Sequence, residues 1–170
     1  MTVGHGTASE DEFTTLLCDA GVNSLVDVRR FPGSRAHPHT RREALAHWLP
    51  AAGIDYRWEE RLGGRRSLPA ESPDRWWRVD AFRAYADHMR NSEFLDAMSR
   101  LTAELGEATT IIMCSESLWW RCHRRLIADF TMLARDIAVF HLGHDGRITE
   151  HPVAAGARLT ADGLLVYDVT

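Results

Sequence analysis

Ile111-Ile112-Met113-Cys114-Ser115-Glu116-Ser117-Leu118-Trp119-Trp120-Arg121-Cys122-His123-Arg124-Arg125 is the stretch that decides the fold. The residues from Thr109 to Met113 form an apolar run that stops at a thiol, a carboxylate, two indoles and a basic cluster. Leu126, Ile127, Phe130 and Leu133 then recur at helical spacing. An apolar run, a polar break and a 3.6-residue period read as a buried strand, a loop and a helix. In open α/β sheets ligands sit outside the carboxyl ends of the strands, which is where this loop falls.

The same alternation extends in both directions. Thr2-Val3-Gly4-His5-Gly6 reads as a short strand ending in a glycine turn, and Ser9 with Glu12 makes a capping-box pattern before Phe13, Leu16 and Leu17. That pattern predicts a helix to about Ala20, stopped by Gly21. Ser24 to Val28 is a second strand with Asp27 near its carboxyl end, and Pro32, Gly33 and Pro38 keep the segment after it irregular. Ala44, Leu45, Trp48 and Leu49 predict a second helix, and Ile54 to Trp58 a third strand. A long polar loop runs from Arg61 to Arg78, helical patterning covers Val79 to Met89 and Glu93 to Leu105, and Ala138 to Leu142 is a fifth strand. Strands alternating with helices predict an α/β fold: a single compact domain, residues 1–150, with a mostly parallel sheet of about five strands flanked by helices. Residues 151–170 read as a C-terminal extension whose Asp162-Gly163 turn suits a short hairpin. Three loops then gather on one sheet edge: His5-Gly6, Asp27 to Arg35, and Cys114 to His123.

Composition bounds the partners and the chemistry. The chain's 170 residues, 45% of them hydrophobic, are enough for one core and too few for two comfortable domains. No apolar run approaches the ~18 residues of a membrane span, and no basic-then-apolar leader opens the chain, so a cytoplasmic location without membrane contact is expected. Three cysteines, an odd number, point away from a disulfide framework and towards a reducing compartment. All 20 basic residues are arginine. Without a lysine amine there is no internal Schiff base, which removes pyridoxal chemistry and lysine-dependent strand cleavage. A net charge of −4 argues against a general nucleic-acid coat, yet Val28 to Arg42 holds five arginines and no acid, a candidate anion-binding face on an acidic molecule.

Five blocks together resemble one family. They are Val3-Gly4-His5; Asp27-Val28-Arg29 with Phe31-Pro32 and Ser34-Arg35; Leu62-Gly63-Gly64-Arg65; Phe82, Tyr85-Ala86 and Met89; and Met113-Cys114 with Glu116 through Trp120-Arg121-Cys122-His123-Arg124. The chain is similar over Thr2 to about Leu142 to the domain of unknown function 488 family. The resemblance implies a compact α/β fold with a site built from these loops, and a connection of some relatives with DNA base excision.

The residues themselves leave three chemistries open. A thiol at a strand end with an arginine downstream resembles the anion loops of cysteine phosphatases and sulfurtransferases. Six residues separate Cys114 from Arg121, however, where those loops have five, and Glu116 would repel a phosphoryl group. Cys114, Cys122, His123 and His5 are metal donors, but adjacent Cys122 and His123 chelate poorly from a helix, and no metal or other cofactor is expected. The third chemistry joins carboxylates, arginines and aromatics: Asp27 or Glu116 would assist departure of a base from its sugar, with His5 and Cys114 as further catalytic candidates. Arg29, Ser34, Arg35, Arg65, Arg121, His123 and Arg124 would hold phosphates, and Phe31, Tyr85, Trp119 and Trp120 would stack on an exposed base. The competing structural reading makes Asp27 and Glu116 partners in an ion network and the tryptophans core.

The expectation is therefore a nucleic-acid base-processing hydrolase, a monofunctional DNA glycosylase acting on a modified or damaged base. A Cys114-dependent phosphatase or sulfurtransferase and a non-catalytic nucleotide or nucleic-acid binding module are the alternatives. The expected partner is a nucleic acid or nucleotide, DNA first among them.

Overall fold

A computed structural model describes residues 1–106 and 108–168. Its strands and helices alternate along most of the chain: β1 (Thr2–Gly4), α1 (Glu10–Asp19), β2 (Ser24–Asp27), α2 (Arg42–Ala51), β3 (Asp55–Trp58), α3 (Asp80–His88), α4 (Ser92–Ala103), β4 (Thr110–Cys114), α5 (Arg124–Arg135) and β5 (Phe140–Leu142). Three further strands, β6 (Ile148–Glu150), β7 (Ala157–Leu159) and β8 (Leu165–Tyr167), complete it. The main sheet has six strands in the order β3-β2-β4-β1-β5-β6, parallel except for β6, which pairs antiparallel with β5. It is the mostly parallel α/β sheet that the alternation predicts, with one strand more. Asp145-Gly146 closes the β5–β6 hairpin and Asp162-Gly163 the separate β7–β8 hairpin, both glycines having the positive φ such turns need.

All five residues of β4 are buried, as an interior strand covered on both faces must be. Alternate side chains feed two cores. Leu25, Ile111 and Met113 face α1 and α2, meeting Phe13, Leu17, Leu45 and Leu49. Val26 and Ile112 face α3, α4 and α5, meeting Tyr85, Phe94, Met98, Ile127 and Phe130. The start of α1 is fixed as the sequence indicates: the Glu12 amide donates to Ser9 Oγ (3.2 Å) and the Ser9 amide to Glu12 Oε2 (2.8 Å).

Residues 151–168 of the expected extension join the same core, with Leu165 and Tyr167 buried against α3 and α5; the extension's last two residues lie outside the described part. No described helix is long and apolar enough to cross a membrane.

Candidate active-site cleft

β2, β4 and β1 are neighbours and end side by side, and the ladder continues beyond them. The Val28 amide donates to the Met113 carbonyl (3.0 Å), the His5 amide to Cys114 (2.9 Å) and the Gly6 amide to Ser115 (3.0 Å). These bonds hold the three loops in register around a cleft of about 560 Å³ at the carboxyl ends of the strands. Gly4 makes the closeness possible, since a Cβ there would collide with the Glu116 carbonyl.

Asp27 sits beneath this cleft, not in it. Fully buried, it accepts from the Arg29 amide (3.1 Å), Arg29 Nε (2.8 Å), Arg29 Nη2 (2.7 Å) and the Tyr56 hydroxyl (2.9 Å). Both carboxylate oxygens are consumed in a forked pair with a guanidinium only two residues away. Asp27, expected as a catalytic candidate beside Glu116, thus lies outside the cleft lining, and the ion-network reading of Asp27 describes what is seen. Arg29 continues upward, donating from Nη2 to the Thr40 carbonyl (2.7 Å) and from Nη1 to His5 Nε2 (3.3 Å). His5 donates from Nδ1 to the Gly6 carbonyl (2.9 Å). Burial, reinforced by the Arg29 charge, pushes the His5 imidazole down to about 4, so it is neutral at pH 7 with its Nε2 lone pair already engaged.

The floor is a cluster of Cys114, Cys122 and His123. His123 Nε2 donates to the Val28 carbonyl (3.0 Å), which turns Nδ1 towards Cys114 Sγ (3.9 Å) and Cys122 Sγ (3.6 Å). The contact with Cys122, together with burial, pushes the Cys114 thiol up to about 12. The same contact and the Arg124 guanidinium, whose Nε is 3.4 Å from Cys122 Sγ, draw Cys122 down to about 6. An attacking thiolate at Cys114 needs the opposite shift.

At the rim, Arg30 donates to the Arg65 carbonyl (2.6 Å) and lies over the Phe31 ring (5.4 Å). Phe31 is 62% exposed. Arg30 and Arg65 form no ion pair among the described residues, which leaves both guanidiniums available to an anion. Glu116 is the one carboxylate among the described lining residues; its Oε1 accepts from the Leu118 amide (3.1 Å), which fixes its aim.

The cleft thus gathers His5, Arg29, Phe31, Ser34, Arg65, Cys114, Glu116 and His123 from the expected set. It does not gather the others. Tyr85 is a core residue whose hydroxyl is spent on the Leu62 carbonyl (2.6 Å). Trp119 stacks on His141 (4.2 Å between centroids, 4° between planes) and, with Trp120, borders a separate hollow. Arg35 and Arg121 are exposed outside the lining, and Arg124 is buried below it. Arg30 and His37 also line the cleft, beyond the residues expected from the sequence. For Arg30 the one available signal was its place among the five arginines of the acid-free segment Val28 to Arg42.

The family described as a domain of unknown function, DUF488, matches residues 9–131. The chain belongs to that family. No curated protein matches it. Among solved structures, a chain from Shewanella putrefaciens CN-32 described as "Putative phosphatase (DUF442)" is similar at 16% identity with a TM-score of 0.37, over 79% of this chain and 66% of that one. The chain thus spans just under two thirds of that structure's length.

Proposed function

We propose that this DUF488 protein is a nucleic-acid base-processing hydrolase of the cytoplasm, cleaving the N-glycosidic bond of a modified or damaged base in DNA. The observation that carries the reading is Glu116, the one carboxylate among the described lining residues, in one lining with the guanidiniums of Arg30 and Arg65, which form no ion pair among the described residues, and an exposed phenyl face. Arginines suit the phosphates flanking a nucleotide, and an aromatic face suits an unstacked base. A carboxylate in the same cleft can stabilise the cation that develops on the sugar, or take a proton from the attacking water. Asp27 serves by fixing Arg29, and His5 by receiving one of its N–H groups, so neither is assigned the chemistry. Since the chain has no lysine, the enzyme removes the base and leaves the backbone uncut.

The test is a panel of duplexes, each with one modified base, incubated with the protein and then treated with alkali to cut abasic sites. Strand cuts that depend on alkali, and their loss in Glu116→Gln, are expected. No abasic site from any duplex, or undiminished release by Glu116→Gln, overturns the proposal.

A further inference from the structure

We infer that Cys114, Cys122 and His123 form a zinc site at the floor of the cleft, with its fourth coordination position open to the cleft. The three donor atoms lie within 4.8 Å of one another, His123 Nδ1 being 3.9 Å from Cys114 Sγ and 3.6 Å from Cys122 Sγ. A tetrahedral ion with Zn–S of about 2.3 Å and Zn–N of about 2.0–2.1 Å spaces sulfur and nitrogen ligands by about 3.6 Å. The two sulfur–nitrogen edges therefore already stand within a few tenths of an ångström of that spacing, and the two sulfurs lie within 4.8 Å of each other. Two thiolates and an imidazole are a set that favours zinc over the oxygen-seeking cations.

Three surrounding features fit a metal better than a packed thiol pair. His123 is held by donating Nε2–H to the Val28 carbonyl, the outer hydrogen bond that metal-bound imidazoles typically make, and this leaves the Nδ1 lone pair aimed at the sulfurs. Gly64 leaves a cradle beside that atom: a Cβ there would come within 3.0 Å of His123 Nδ1. Arg124 is 1% exposed and pairs with no carboxylate among the described residues; it donates instead to Cys122 Sγ, to Thr2 Oγ1 (3.2 Å) and to the Glu116 carbonyl. A buried cation without an anion is costly. Two thiolates holding a divalent ion would set anionic sulfur against Arg124, whose Nε already donates to Cys122 Sγ (3.4 Å). Cys114 and His123 line the cleft, so the open position faces the space where a substrate would lie.

The inference stands apart from the reading of the cleft, because its test reads metal and not turnover. Full-length protein, reduced and stripped with a chelator, is titrated with Zn(II) against a chromophoric competitor and separately with Co(II). One zinc per chain is expected, together with a thiolate-to-cobalt absorption band that Cys122→Ser and Cys114→Ser each diminish. Either serine variant should weaken zinc by more than the about 10–100-fold that loss of an outer hydrogen bond costs. Gly64→Ala, which leaves every donor in place, should also weaken zinc, whereas Cys18→Ser at the exposed third cysteine should not. Wild-type zinc affinity in Cys122→Ser, a cobalt complex without the thiolate band, or binding that disappears in Cys18→Ser overturns the site. Should a serine variant fail to fold, the cobalt spectrum and Gly64→Ala still decide.

Discussion

Replacing Asp27 by Asn separates a structural carboxylate from a catalytic one. Asp27 accepts four hydrogen bonds, three from Arg29 and one from Tyr56, with no exposure to solvent. Asparagine keeps one acceptor oxygen, turns an NH₂ against an Arg29 N–H that can only donate, and carries no charge, so Arg29 becomes a buried, unpaired cation. Breaking a buried ion pair from one side costs about 3–5 kcal/mol, or about two to four powers of ten in the folding equilibrium. Against a typical total of about 5–15 kcal/mol this is a large fraction. Urea unfolding followed by tryptophan fluorescence reads it directly, with a lower midpoint and an unchanged slope expected. Trp58 is a well-placed reporter, its indole donating to the Arg29 carbonyl (2.7 Å). Removing both charges, as in Asp27→Leu with Arg29→Met, should recover much of the loss, because no charge is then stranded. An Asp27→Asn protein within about 1 kcal/mol of wild type, or a double variant no more stable than the single one, would refute the reasoning.

Two further outcomes follow from the same geometry. Arg30 and Arg65 at the rim form no ion pair among the described residues, so exchanging both for Gln should flatten the salt dependence of duplex binding by about 0.9 in log–log slope per lost phosphate contact; parallel salt plots for the two proteins would remove these arginines from the interface. His141, 3% exposed, has its imidazole pushed down to about 3 by burial and by the neighbouring His151 and Arg124. Above its unfolded value of about 6.5 neither state binds the proton; below it only the unfolded chain does, so stability is lost as pH falls from about 6.5 towards 3, by about 1.4 kcal/mol per pH unit. His141→Gln should lessen that slope by one proton in urea unfolding series, and an unaltered slope would place the titration elsewhere.

How far the sequence could be read depended on how far each side chain lay from regular backbone. Within strands the period of two fixes faces; the capping box at Ser9 and the glycine turns fell where the pattern put them, and the buried strand Thr110–Cys114 lies one residue beyond the apolar run Thr109 to Met113. Past a strand end the period no longer holds. Asp27 and Arg29 lie on one side by alternation, but that Arg29 folds back onto Asp27 rather than reaching outward is set by Thr40 and Tyr56, which are distant in sequence. Adjacent Cys122 and His123 would chelate poorly only if both were helical. Cys122 instead follows the short 3₁₀ turn Trp119–Arg121 with extended backbone (φ −124°, ψ 151°), and His123 only opens α5. One residue of extended chain before the helix is what lets adjacent side chains converge.

The segment beyond the family match completes the molecule's polar interior, and its hydrogen bonds run in one direction. Arg124 donates to Thr2 Oγ1. Thr2 can then donate to His141 Nδ1 (2.6 Å), His141 Nε2 to His151 Nδ1 (2.9 Å), and His151 Nε2 to Asp129 Oδ1 (2.9 Å). The tautomers are assigned from the Asp129 end, since a buried carboxylate accepts and obliges each ring in turn to donate forward. Asp129 also accepts from the Ala154 amide and the Tyr167 hydroxyl, both at 2.9 Å. His141, His151, Ala154 and Tyr167 all come after residue 131, where the match to DUF488 ends. A buried acid within the matched region thus has its side-chain partners supplied from outside it. Truncating the chain there would strand Asp129 and open the path to Arg124, the cation that faces Cys122 beneath the cleft. The C-terminal segment therefore belongs to the support of the site as much as to the fold.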